Sequence, residues 1–251
     1  MIYGEVSPAA IMLSTLHRNS KLSGYDQQAI LGLEFTPQIC PPRRLIYREE
    51  SDISGPFVVL DGHVLCYKNT ASGARQIVAI YRKGDIVGVQ SLMNPRLDYD
   101  IAAATRATIA WVPSDDFQKV CSTSSNIVRA LIAIANLEAS IAREWLVNNA
   151  VRSAESRIAH FIAEHFAREE MAGMTVDATS HLPFTQLQIG DATAVTPVHV
   201  NRMLRNLKDR GAISANGHTY TVADREILEL IGDFEDAYLR IRVRSDSNPD
   251  H

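Results

Sequence analysis

The 251-residue chain is poor in cysteine, in long apolar runs and in positive charge. Its three cysteines, Cys40, Cys66 and Cys121, are odd in number and widely separated, which supports neither a disulfide framework nor a CxxC metal pair and leaves them as small buried apolar side chains. No stretch approaches the roughly 18 uninterrupted apolar residues of a membrane span, and MIYGEVSPAA lacks the basic-then-apolar order of a secretion signal, so a cytoplasmic protein with no membrane partner is expected. Lys and Arg number 25 against 29 Asp and Glu, a net charge of −4. This argues against nucleic-acid binding over the whole surface but leaves room for a local basic patch. There is no P-loop, HExxH, GxSxG or paired-carboxylate motif in a convincing context. We therefore expect no enzyme, no catalytic residue, no cofactor and no metal site.

What is present falls into segments. The first 36 residues, with AAIMLSTLHR and DQQAILGLEF, read as two short helices ended by Thr36-Pro37. From Gln38 to about Val112, β-rich runs such as PFVVL, HVLCYK, RQIVAIY and ATIAWV are divided by turn residues, with Gly62, Gly73 and Gly84 spaced eleven apart. That rhythm predicts a compact antiparallel sandwich or barrel. A long helical pattern then starts near Ser124 and runs to about Asn149. Ile127, Leu131, Ile134, Leu137, Ile141 and Trp145 share one face, and Val128, Ile132, Ala135, Ala142 and Leu146 an adjacent one. An apolar arc this broad fits either a helix buried in one core or one that pairs with a parallel partner helix, with the first-named face as the dimer seam. A further helix spans about Ser153 to Glu170, followed by the polar loop MAGMTVDATSHLP, the segment FTQLQIGDATAVTPVHVNRMLRNLKDRGAI, the hairpin-like SANGHTYTV, a closing helix ADREILELIGDFEDAYLRI and a frayed tail.

The segment before the hairpin carries the clearest chemistry. Thr185 is placed to cap a short helix, a turn falls at Thr193-Ala194-Val195, and a second helix opens at Thr196-Pro197, where a hydroxyl cap and a proline at the first position mark a sharp start. Val200, Met203, Leu204 and Leu207 fall on one arc of that helix, and Val198, Asn201, Arg202 and Arg205 on the opposite one. From Thr196 to Arg210 there are four basic residues, Arg202, Arg205, Lys208 and Arg210, against Asp209, a local charge of +3 in an acidic protein. This is helix-turn-helix spacing with a β-wing at Asn216-Gly217, and the charge lies where phosphates would. The competing reading is a protein-interaction element with a solvated basic face. Salt-dependent DNA binding separates the two.

In the order of these parts, and in LDGHV, GARQIVAIYRKGDIVGVQSLM and TPVHVNRML, the sequence resembles the Crp–Fnr transcription regulators over nearly its whole length. The resemblance implies an α+β fold: an N-terminal antiparallel, jelly-roll-like β-roll sensor (residues 1–123), a long dimerisation helix (124–150), a C-terminal winged helix-turn-helix domain (151–243) and a tail (244–251). It implies a homodimer on a near-palindromic double-stranded DNA operator, contact with RNA polymerase and a possible small-molecule effector. Carried over by position, Arg202 matches an arginine that contacts bases and phosphates, Asn201 the neighbouring serine or glycine position, where asparagine is chemically apt for a base edge, and Thr196 and His199 positions that touch the backbone. Thr185, Pro197, Arg205 and Lys208 complete the DNA-facing set. Val198 is a departure, standing where many members have a glutamate that reads cytosine; valine offers only apolar contact, for instance to a thymine methyl. Ala194 replaces the usual turn glycine, which strains the turn if it is left-handed.

The sensor departs further. Gly84, Asp85 and Gly88 match the family's cassette, but Val89 occupies the position of the ribose-binding glutamate. Gln90 and Ser91 follow. Tyr99-Asp100 falls where an Arg-Ser pair would hold phosphate, unless an indel brings Arg96 there. We therefore expect a pocket without the standard cyclic-nucleotide chemistry. The stretch Asp98–Asp100 reads as a solvated turn, and His17, His63, His160 and His165 as surface or satisfied residues with no spacing that selects a pair.

Overall fold

The computed structural model describes residues 7–94, 96–174, 180–217 and 219–240. Ser7 caps helix α1 (Pro8–Asn19) by accepting from the Ala10 amide, and Ser23 and Asp26 cap α2 (Gly24–Leu31) reciprocally. Strand β1 (Thr36–Cys40) begins at the expected break and takes Pro37 at a sheet edge, where a missing N–H is tolerated.

Seven further strands follow: β2 (Leu45–Tyr47), β3 (Phe57–Asp61), β4 (Val64–Asn69), β5 (Arg75–Tyr81), β6 (Ile86–Val87), β7 (Asp100–Ala103) and β8 (Ala107–Trp111). They form two four-stranded antiparallel sheets, ordered β1-β8-β3-β6 and β2-β7-β4-β5. Alternate side chains point inward, so Cys40, Phe57, Val59, Val64, Cys66, Ile101 and Ile109 fill the space between the sheets. All three cysteines are buried and unpaired. Gly62 turns β3 into β4 at φ +74°, and a Cβ there would lie 2.1 Å from the Arg106 carbonyl oxygen.

Helix α3 (Ser114–Thr123) was not evident from the pattern, since it buries only Phe117 and Cys121. Ser124 then caps α4 (Ser125–Val151), and Ser153 caps α5 (Ala154–Met171). The face expected as the dimer seam is turned into the chain's own core. Ile127, Leu131, Ile134, Ile141 and Trp145 are buried within the chain, and Leu137 packs half-buried beside them. These large side chains complete the cores that join α4 to the β-roll and to α5. What stays uncovered is the adjacent stripe of Val128, Ile132, Ala135, Ala139, Ala142 and Leu146, stepping four and three residues at a time. α4 is long and apolar enough by composition to cross a membrane, yet it carries Arg129, Glu138, Arg143 and Glu144 and packs one face on its own chain.

The C-terminal part holds α6 (Gln186–Thr193), α7 (Pro197–Asp209), the hairpin β9 (Ile213–Asn216) and β10 (Thr219–Val222), and α8 (Arg225–Gly232). The closing helix is shorter than its pattern predicts. Gly232 approaches α5 so closely that a Cβ would lie 2.7 Å from the His160 amide nitrogen, and Asp233 turns left-handed at φ +47°. A short 3-10 turn, Asp236–Leu239, follows. The tail, residues 244–251, lies outside the described residues.

Candidate nucleic-acid interface

Thr185 and Gln188 form a capping box at the start of α6, and Gly190 lets the helix close onto the turn: a Cβ there would stand 2.3 Å from the Val195 carbonyl oxygen. Sequence reasoning passed over this glycine, although a lone glycine in a short helix is a signal of close approach. Ala194 is left-handed, φ +54° and ψ +42°, a conformation that costs an L-residue about 1–2 kcal/mol. Thr196 accepts from the His199 amide and Pro197 holds the first position of α7.

The two arcs of α7 separate as expected. Val200, Met203, Leu204 and Leu207 are buried. On the other side Val198 is 84% exposed, and His199, Asn201, Arg202, Arg205 and Lys208 lie at the surface around it. Neighbours on the same face hold one another in place: Arg202 hydrogen-bonds His199, and the Arg205 Nη2 donates to Asn201 Oδ1 at 3.3 Å. Arg210 is drawn away to Glu155 on α5 at 3.2 Å, so the cations available on this face are Arg202, Arg205 and Lys208. The wing pairs Asn216 with Thr219 across Gly217, which is left-handed at φ +63°.

The nine sensor positions do not converge. Val89, Gln90, Ser91 and Tyr99 lie together, and there the Gln90 amide donates to the Tyr99 hydroxyl, so the side chain expected at the phosphate position is a phenol tied to a neutral amide. Burial pushes that phenol far above its ordinary range. Gly88, at φ +84°, leaves no room beside Ile53. Arg96 turns outward, donating to the Glu50 carbonyl at 3.1 Å and standing 3.9 Å from its carboxylate. Asp98 is exposed, but Asp100 is buried, accepting from the Glu49 amide at 2.8 Å and from Asn69 at 2.9 Å, which corrects the solvated-turn expectation for that residue. Gly84 and Asp85 face elsewhere. The Gly84 carbonyl accepts from Thr15 of α1 at 2.7 Å, and Asp85 pairs with Arg168 of α5 at 3.4 Å.

A cleft of about 480 Å³ separates the β-roll from the uncovered stripe of α4, lined by Val89, Leu92, Met93, Val128, Ile132 and Ala135 among others. The reading head is docked on the β-roll by polar contacts between distant segments. Arg75 donates to Asp191 at 2.7 Å, Gln76 to the Ala192 carbonyl at 3.2 Å, Gln188 to the Ala104 carbonyl at 3.0 Å and Arg82 to the His165 carbonyl at 2.8 Å. Asn149 of α4 adds a second donor to Ala192 at 3.0 Å. Arg82 is lowered to about 10, chiefly by burial, and stays charged at neutral pH.

Comparison with known proteins matches two parts of the chain. Residues 156–231 match the Crp-like helix-turn-helix domain and residues 37–124 the cyclic nucleotide-binding domain. An anaerobic regulatory protein of Aggregatibacter actinomycetemcomitans is 21% identical over 190 residues, 75% of this chain and 74% of that protein. The nitrogen fixation regulation protein FixK of Bradyrhizobium diazoefficiens is 26% identical over 170 residues, 67% of this chain and 70% of that one. Among solved structures, FixK2 from Bradyrhizobium japonicum matches with a TM-score of 0.73 at 24% identity, covering 79% of this chain and 98% of that one.

Proposed function

Because the chain belongs to the Crp–Fnr family of transcription regulators, we propose that it works as a cytoplasmic homodimer whose two α7 helices enter successive major grooves of a near-palindromic operator. The observation that carries this is the outer face of α7, where Val198, Asn201, Arg202, Arg205 and Lys208 stand clear of the protein on a helix fixed by its buried face. Arg202 is apt for guanine and Asn201 for adenine, each good bidentate pair contributing roughly 1–3 kcal/mol of discrimination, while Val198 offers a methyl contact to thymine. Lys208 and Arg205 supply phosphate contacts that are blind to sequence.

The two-fold partner covers Val128, Ile132, Ala135, Ala142 and Leu146, a stripe with the three-and-four spacing of a parallel helix pair. The sensor does not use cyclic AMP or cyclic GMP: Val89 cannot accept a ribose hydroxyl, and Tyr99 brings no cation to a buried phosphate. It answers to another small ligand or to none, and its output passes through contact with RNA polymerase. No catalysis is proposed, and the relatives are regulatory proteins.

Selection of bound sequences from a random DNA pool, with purified protein and no added ligand, tests this. The expected product is a near-palindrome with half-sites about one helical turn apart. Absence of any enriched sequence, together with absence of salt-dependent DNA binding, would assign the C-terminal domain to protein interaction instead.

A further inference from the structure

Where the turn between β3 and β4 meets α5, three metal-binding side chains converge that are far apart in sequence. The His63 Nε2 lies 3.1 Å from Glu169 Oε1, and the His165 Nδ1 lies 3.9 Å from the same oxygen. All three ligand atoms fall within 4.8 Å of one another. We propose that His63, His165 and Glu169 hold a divalent transition-metal ion of the zinc type, which ties the β-roll to the DNA-reading domain. This site is independent of the DNA-reading proposal.

A hydrogen bond between His63 and Glu169 accounts for two of these residues but not for the third. The Nδ1 of His165 is buried with no hydrogen-bond partner, in a residue only 5% exposed, and it faces the shared carboxylate oxygen. An orphaned nitrogen in such a place costs stability unless something takes its lone pair. With metal–ligand distances near 2.0–2.2 Å, a tetrahedral ion needs its ligands about 3.3 Å apart. The observed separations bracket that value, and small rotations of His63 and Glu169 close the difference. Two imidazoles and one carboxylate form a donor set that zinc accepts, with a fourth position left for water.

The surrounding charge permits the ion. Arg82 pairs with Glu169 at 3.3 Å and Arg168 with Asp85 at 3.4 Å and Glu164 at 3.5 Å, two positive charges against three negative ones. A divalent ion therefore enters a cluster that is net negative. Arg82, the nearest cation, keeps the His165 carbonyl as an acceptor when the metal claims Glu169. The Phe184 ring stands 5.2 Å from His63 and 5.1 Å from His165, a dry wall behind the ligands. The His63 side chain is 14% exposed and provides the way in.

The test uses tag-free, full-length protein treated with a chelator and then titrated with Co²⁺, whose visible absorption reports nitrogen and oxygen ligation. The expected result is one ion per protomer, displaced by Zn²⁺. His63→Gln and Glu169→Gln are each expected to weaken binding by more than the roughly 10–100-fold typical of changes one layer out from a metal. Circular dichroism of the metal-free variants checks folding. Should Glu169→Gln lose stability through its Arg82 contact, His63→Gln, at the partly exposed turn, decides alone. Absence of an absorption band with folded wild-type protein at millimolar Co²⁺, or a band unchanged in His63→Gln, overturns the proposal.

Discussion

Replacing Ile132 by glutamate should separate the dimer without unfolding the protomer. Ile132 exposes 55% of its surface, and full burial of an isoleucine side chain stabilises by about 1.5–3 kcal/mol. Covering the exposed half is then worth about 1 kcal/mol per copy, or about 2 kcal/mol per dimer, because a two-fold axis uses each position twice. Glutamate forfeits that and sets two like charges in a desolvated seam, at a further cost of about 3 kcal/mol or more. At 1.4 kcal/mol per decade, the total of about 5 kcal/mol raises the dissociation constant by three to four orders of magnitude. Sedimentation equilibrium at micromolar protein should show the wild type at twice the chain mass and Ile132→Glu at the chain mass, with circular dichroism unchanged. Ile134→Glu is the contrasting variant: Ile134 is 8% exposed and packed in the core that joins α4 to α1 and the β-roll, so it should lose folded protein. A dimeric Ile132→Glu, or a monomeric wild type, refutes the assignment of the stripe.

Arg202→Ala should remove most of the preference for operator over random DNA, by about 1–3 kcal/mol, whereas Lys208→Ala should weaken both alike and flatten the salt slope by about 1. Competition binding at several salt concentrations reads both, and equal losses in Arg202→Ala would demote that residue to a phosphate contact. Ala194→Gly should raise the stability of the reading head by about 1 kcal/mol, because glycine adopts the left-handed turn without a Cβ penalty; a lower melting temperature would contradict this. Calorimetric titration with cyclic AMP or cyclic GMP should give no micromolar binding, and Arg96→Ala should change nothing, since Arg96 is engaged with Glu50 at the surface. Micromolar binding abolished by Arg96→Ala would restore the conventional sensor.

The reading helix was legible because its signals are local. Thr196, Pro197 and the two arcs of α7 lie within a few turns, and cap chemistry and helical period act over that range. The β-roll was legible as rhythm, from glycines such as Gly62 that only a tight turn requires. Which stripe of α4 faces outward was not legible for a physical reason: both are apolar, and periodicity alone does not say which one the chain packs into its own core. Helix α3 escaped because two buried residues make no period. The cluster at His63 was invisible because 106 positions separate that residue from Glu169, and no spacing rule spans a domain boundary. The same holds for Arg75 with Asp191.

The carbonyl of Ala192, near the end of α6, has two lone pairs, and Gln76 of β5 and Asn149 of α4 take one each. Since the two donors ride on different elements, a slide of α6 that lengthens one bond misaligns the other. The C-terminal domain is therefore latched at this point: a displacement of α6 has to break both bonds together, not one after the other.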